Sequence, residues 1–187
     1  MTNFYLSENN VERPFSFSEK NLPILISGGE GSGASFFSVS AVSQLFLLGL
    51  PILFYSLKPA ASDQFEAQVA SKSSDVFHLE NARDIDEARS HKAVIIESGN
   101  TKLAQLALEQ LVDERRILFI KNFEATLTKE LWEVVRSSPL LLLSGDLPNA
   151  PLHKNVDEKP FATTIVFSDR KGYFLSDEKQ GIIRVEK

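Results

Sequence analysis

The sequence predicts an α/β fold: a mostly parallel sheet with helices on both faces, finished by C-terminal antiparallel strands. Three observations carry that expectation. Runs that are apolar at nearly every position (LPILIS, PILFYSL, AVIIE, ILFI and LLLL) read as strands buried on both faces, the habit of parallel sheets. Between them, apolar residues recur at helical spacing, so strands and helices alternate. The tail (TTIVFSD, GYFLSD, GIIRVEK) reads instead as short strands joined by tight turns.

Taken in order, residues 1–21 are polar around Phe4, Phe15 and Phe17 and read as an arm ending in a short strand, ahead of a domain over 22–187. The arm's phenylalanines must be buried somewhere, either on their own domain or on a partner. From Leu22 a strand, the turn GGEGSGAS, an apolar helix over about 34–48 and a strand over 51–57 form a βαβ unit. Asp63 with Glu66, and Asp84 with Glu87, have capping-box spacing and predict two further helix starts, with a short strand at 76–79 between them. Ala93–Glu97 is a strand ending in an acid. Leu103, Leu106, Ala107, Leu111 and Val112 predict a helix to about Glu114. Strand 117–120, a helix carrying Leu131, Trp132, Val134 and Val135, and strand 140–143 follow, then a polar loop over 145–160.

Composition narrows the classes. The chain has 187 residues, a net charge of −5 and 43% apolar residues, which describes one globular domain able to bury a core unaided. It contains no cysteine, which removes thiolate catalysis, disulfides and Cys-type zinc sites. The most apolar stretch, Leu45–Tyr55, is broken by Gly49 and Pro51 and is about half the roughly 20 residues of a spanning helix. With no basic start followed by an apolar block at the N-terminus, the expected location is the cytoplasm. An acidic chain whose longest basic run is Arg115-Arg116 lacks the footprint of an autonomous nucleic-acid binder. His78, His91 and His153 lack zinc-site spacing.

The informative motif is Gly28-Gly29-Glu30-Gly31-Ser32-Gly33-Ala34-Ser35, placed between an apolar strand and a helix. Its spacing is that of the phosphate-binding G-x-x-x-x-G-K-[ST] loop, with Ala34 where the lysine belongs. Converging backbone N–H groups and a helix N-terminus remain to hold phosphate; the lysine's charge does not. Gly29, Gly31 and Ala34 also satisfy the dinucleotide fingerprint, which requires an acid at the end of the second strand. That strand ends Tyr55-Ser56-Leu57-Lys58, so the phosphate loop is the better reading. A tight turn that kept its glycines and lost its ligand is the third.

Over most of its length the chain resembles the P-loop motor ATPases of the RecA/FtsK/HerA type, including conjugative and secretion coupling ATPases. PFSFSEKNLPILISGGEGSGAS is similar to their lead-in strand, first strand and Walker A loop, and ILFYSLKPAASDQF to their second strand, with Ser56 for an Asp and Lys58 kept. AVIIESG takes the Walker B place, as Glu97-Ser98, and RRILFIKN the sensor strand, ending in Asn122. The resemblance implies a RecA-like three-layer sandwich that binds ATP or ADP with Mg²⁺, the phosphates held by Gly28, Gly29, Gly31, Ser32, Gly33, Ala34 and Ser35, and the metal by Ser35 and Glu97.

The departures at Ala34, Glu97-Ser98 and Asn122 together imply that hydrolysis is lost, which makes the chain a pseudo-ATPase. Such a chain serves as a nucleotide-binding or scaffolding subunit of a DNA-translocation or secretion machine, working with a protein partner or as a homo-oligomer. The alternatives are a slow ATPase, in which Lys58 or a neighbouring subunit's arginine replaces the lysine, a dinucleotide-binding oxidoreductase, and a ligand-free interaction domain. Arg115 and Arg116 read either as trans-acting fingers or as a solvated loop pair.

Overall fold

The computed structural model describes residues 3–97, 99–111, 115–150, 153–157 and 159–186. Asn3–Glu8 (β1) and Val11–Phe15 (β2) form an antiparallel hairpin. Its turn residues Asn9 and Asn10 both have positive φ, as a two-residue hairpin turn demands and asparagine tolerates. Ile24–Ser27 (β3), Ala34–Leu47 (α1), Ile52–Ser56 (β4), Pro59–Gln68 (α2) and Val76–His78 (β5) follow. Next come Ile85–Ala88 (α3), Ala93–Glu97 (β6), Thr101–Leu111 (α4), Ile117–Lys121 (β7), Phe123–Thr126 (α5) and Lys129–Val135 (α6). Leu141–Gly145 (β8), His153–Asp157 (α7), Thr163–Ser168 (β9), Lys171–Ser176 (β10) and Gln180–Glu186 (β11) complete the chain.

The strands form one 11-stranded sheet in the order β2-β1-β11-β10-β9-β3-β8-β7-β4-β6-β5. From β9 to β5 all neighbours are parallel; from β9 to β2 all are antiparallel. The α/β expectation with closing antiparallel strands therefore holds, as a mixed sheet.

In the parallel block, alternate residues of each strand go to opposite faces. Ile24, Ile26, Phe54, Ile95 and Phe119 pack in one layer with Phe37, Val42 and Leu45 of α1 and Phe65 of α2. Leu25, Leu53, Ile96, Leu118 and Leu143 pack in the other with Leu103 and Leu108 of α4 and Trp132 of α6. This explains why these strands read as continuous apolar runs. The antiparallel block is covered on one face only. Phe4, Leu6, Phe174 and Ile183 join the first layer, while Val166, Tyr173 and Ile182 stand in a cross-strand row on the open face with Leu175.

The N-terminal arm is part of this sheet, because β1 pairs with β11. Phe4 and Phe17 are fully buried in the chain's own core, edge-to-face with each other at 5.1 Å, and both rings also pack on Phe37. Their burial on their own domain settles where the arm's aromatics go.

Other boundaries shift for local reasons. Helix α2 begins at Pro59 rather than Asp63, since proline's fixed φ suits the first helical position. Asp84 does precede a helix, but one of a single turn. The polar loop over 145–160 contains the short α7, and the predicted end of α4 at 112–114 lies outside the described residues. No helix among the described residues is long and apolar enough to cross a membrane.

Candidate functional site

Parallel strands gather their carboxyl ends at one edge of the sheet, and open α/β sheets bind ligands outside that edge. Here β3 is flanked by β8 on one side and β9 on the other, so the loop after β3 meets the loop after β8. The amide of Gly28 donates to the carbonyl of Gly145 at 3.0 Å, tying the two loops together. Gly28 has no room for a side chain: a Cβ would lie 2.6 Å from Ser32 Oγ and 2.8 Å from Phe167 Cβ. Gly31 and Gly33 have φ of +75° and +94°, the left-handed region that glycine occupies without strain.

Ser32 is turned into the loop, its hydroxyl accepting from the Ala34 amide at 3.3 Å, and it does not line the cleft. The other loop residues of the phosphate-binding expectation do: Gly28, Gly29, Gly31, Gly33, Ala34 and Ser35. The amides of Gly29, Gly31, Gly33 and Ser35 have no acceptor among the described residues. They are available to an anion at the N-terminus of α1.

The opposite wall comes from the ends of β7 and β8. Lys121, Asn122, Glu124, Ser144, Gly145, Asp146 and Asn149 line a cleft of about 430 Å³ together with Lys58 and Glu30. Asn122, in the left-handed conformation, donates through Nδ2 to Glu124 Oε1 at 3.2 Å. Glu124 Oε2 accepts from the amide of Asp146 at 3.0 Å, and Asp146 Oδ2 from Asn149 Nδ2 at 2.8 Å. Ser144 Oγ donates to Ser38 Oγ at 2.8 Å, and Ser38 in turn donates to the carbonyl of Ser35, so β8 braces the first turn of α1. Ser56, standing where an Asp was looked for, fixes Lys58: its hydroxyl accepts from the Lys58 amide at 3.1 Å.

Lys121 is the member that sequence reasoning missed. The residue is 3% exposed and lines the cleft, and no hydrogen bond or ion pair forms to its side chain among the described residues. Burial pushes its ammonium down to about 8, Glu124 opposes that shift and Lys58 adds to it.

The acid expected as a metal ligand is elsewhere. Glu97 ends β6, which β8, β7 and β4 separate from β3, a span of roughly 19 Å at ~4.8 Å per strand. It faces Asp63, Glu66 and His78, and desolvation followed by those carboxylates raises its carboxyl above the usual range, with His78 opposing. Ser98 lies outside the described residues. The donor set expected for Mg²⁺, Ser35 with Glu97, is therefore not assembled, and no group of three His, Asp or Glu residues able to hold a metal occurs among the described residues.

Arg116 is not the solvated loop residue that the sequence suggests. It is buried at the amino edge of the sheet, and its guanidinium donates to the carbonyls of Ile52, His91 and Lys92 at 3.3–3.4 Å. It satisfies strand-end carbonyls at the edge remote from the cleft.

A scan against protein-family models matches none, and a search of curated proteins finds no similar sequence. What the cleft offers chemically is a set of free amides and two ammonium groups facing one volume, walled by the hydrogen-bonded Glu124 and Asp146 and bordered by the exposed Glu30.

Proposed function

We propose that this chain is a catalytically degenerate P-loop ATPase-like protein, a pseudo-ATPase whose Gly28–Ser35 loop holds the phosphates of ATP or ADP. The observation that supports it best is the set of unpartnered loop amides at the start of α1, set beside Lys58 and Lys121. Amides converging at a helix N-terminus are suited to phosphate, whatever the rest of the molecule does. Degeneracy is supported by Ala34 in the loop and by the state of the lining acids. Glu124 and Asp146 are engaged in the hydrogen bonds that join the cleft's wall.

A slow ATPase with a substitute lysine is the second reading, favoured by the presence of Lys58 in the cleft. Lys58→Ala lowers turnover on that reading and leaves no turnover to lower on the first. The dinucleotide reading finds no acid at the end of β4, where Ser56 is engaged with the backbone of Lys58. A scaffolding role draws support from the open apolar row of Val166, Tyr173 and Ile182, since exposed contiguous apolar surface marks contact sites. A setting in a DNA-translocation or secretion machine rests on the resemblance alone.

Isothermal calorimetry with ATP and ADP tests the nucleotide reading directly. Micromolar binding is the expected result; no heat up to millimolar nucleotide would reduce the chain to an interaction scaffold.

A further inference from the structure

We propose that the cleft binds the oligophosphate of a nucleotide without a divalent cation, with the Lys121 ammonium, aided by Lys58, supplying the positive charge that the loop lacks. The inference rests on the nucleotide reading and specifies how that same site meets its ligand.

An unpartnered charge in a protein interior is costly, and lysine is among the residues least often fully buried unless paired. Lys121 is nevertheless buried at the end of a central strand, lines the cleft and has no hydrogen-bonding or ion-pair partner among the described residues. Lys58 lies near enough to add to the cost of the Lys121 charge in the cleft that both line. An anion between them and the loop amides relieves both.

Among the cleft's acids Glu124 offsets part of that cost, but none forms an ion pair with Lys121 among the described residues. Glu124 accepts from Asn122 and from the Asp146 amide, Asp146 accepts from Asn149, and Glu30 is exposed. A dication held by the Ser35 hydroxyl would instead share the cleft with two ammonium groups and lack the Glu97 carboxylate. The lysines thus take over the offsetting of phosphate charge that a bound cation would supply.

The test is calorimetric titration of ATP in EDTA at pH 7, repeated with excess Mg²⁺, on the unaltered chain and on Lys121→Met, Lys121→Gln, Lys58→Met and the remote control Lys171→Met. ATP is expected to bind in EDTA, with no gain from Mg²⁺. Loss of a charge-assisted hydrogen bond predicts roughly 10- to 100-fold weaker binding for either Lys121 variant. A smaller loss is expected for Lys58→Met and none for Lys171→Met. Both Lys121 variants should melt no lower than the unaltered chain, which separates lost binding from lost folding. Binding that requires Mg²⁺, or that survives both Lys121 substitutions, overturns this inference and leaves the nucleotide reading standing. Absence of ATP binding in both buffers overturns the two together.

Discussion

Two stretches of the same sheet edge carry opposite chemistry. At the ends of β3, β8 and β7 the chain gathers a glycine loop and Lys121, with Lys58 reaching in from β4. At the ends of β5 and β6 it gathers His78 and Glu97 beside Asp63 and Glu66, with His78 Nε2 2.9 Å from Glu66 Oε1. In sequence both have one signature: an apolar strand, a polar closing residue, glycine within two positions, then a helix. Position in the sheet makes them different. The loop after β3 leans on β8 and β9, whereas β6 has only the short β5 beyond it. Chemistry at a parallel edge is set by which strands are neighbours, and neighbours in space are not neighbours in sequence.

The sharpest way to break that contrast is through the glycines that follow the two strands. A methyl at Gly28 meets Ser32 Oγ, Phe167 Cβ and Ala34 Cβ at 2.6, 2.8 and 3.0 Å, so loop or strand must move. Gly28→Ala is expected to destabilise by about 1–3 kcal/mol, as other overpacked sites do. At roughly 2–4 °C per kcal/mol the melting temperature should fall by several degrees, with ATP binding lost as the amides disperse. Gly99 has nothing within 4 Å of the corresponding position, and Gly99→Ala should change neither readout. Equal effects at the two glycines would mean that the loop after β3 is not specially packed.

The elements were legible where burial is periodic or continuous. Runs such as ILFI and LLLL could only be buried strands, and the amphipathic spacing of Leu103, Ala107 and Leu111 could only be a helix face. Strand order was not legible, because strands apolar on both faces carry no mark of their neighbours. Placing Glu97 beside the loop was the result. The pairing of β1 with β11 was hidden for a related reason, since long-range pairing leaves no local signal. Lys121 had a faint one: a lysine closing an apolar strand reads as a solvent-facing end, yet in an open parallel sheet that end is where ligands bind. Arg116 read as solvated because nothing in sequence reveals a set of strand-end carbonyls in need of donors.

The second contrast is in the response to pH. Burial, reinforced by Lys58 and opposed by Glu124, holds Lys121 at about 8, against 10.5 for a free lysine. Between those values the unfolded chain carries a proton that the folded chain has released, so stability contributed by this group rises with pH. Below about 8 both states are protonated and the full penalty applies, up to about 3 kcal/mol for a shift of this size. Lys121→Met should therefore be more stable than the unaltered chain at pH 7 in urea unfolding, with the gap closing by about pH 10.5. Glu97 has the reverse sign, because its carboxyl is raised: its contribution improves as pH falls through the folded value. Equal stability of Lys121→Met and the unaltered chain at pH 7 would show that the ammonium is not stranded in the fold.

The smallest expected effect sharpens the comparison most, because it is an effect of distance alone. Glu97 was the acid expected to share a cation with Ser35, and a gap of roughly 19 Å, four strand spacings, separates β6 from β3, the strand that leads into the Ser35 loop. At about 0.1 M salt the Debye length is about 10 Å, so an exposed carboxylate that far from β3 is largely screened from a phosphate held by the loop that follows β3. Glu97→Gln keeps the side chain's shape and removes its charge. The ATP affinity of this variant should stay within about twofold of the unaltered chain in EDTA and in Mg²⁺ alike, well inside the tenfold that 1.4 kcal/mol would produce. A tenfold loss confined to the Mg²⁺ titration would put Glu97 on the metal and join the two edges into one site; a loss in both buffers would mean that the acidic group acts on the cleft through the fold between them.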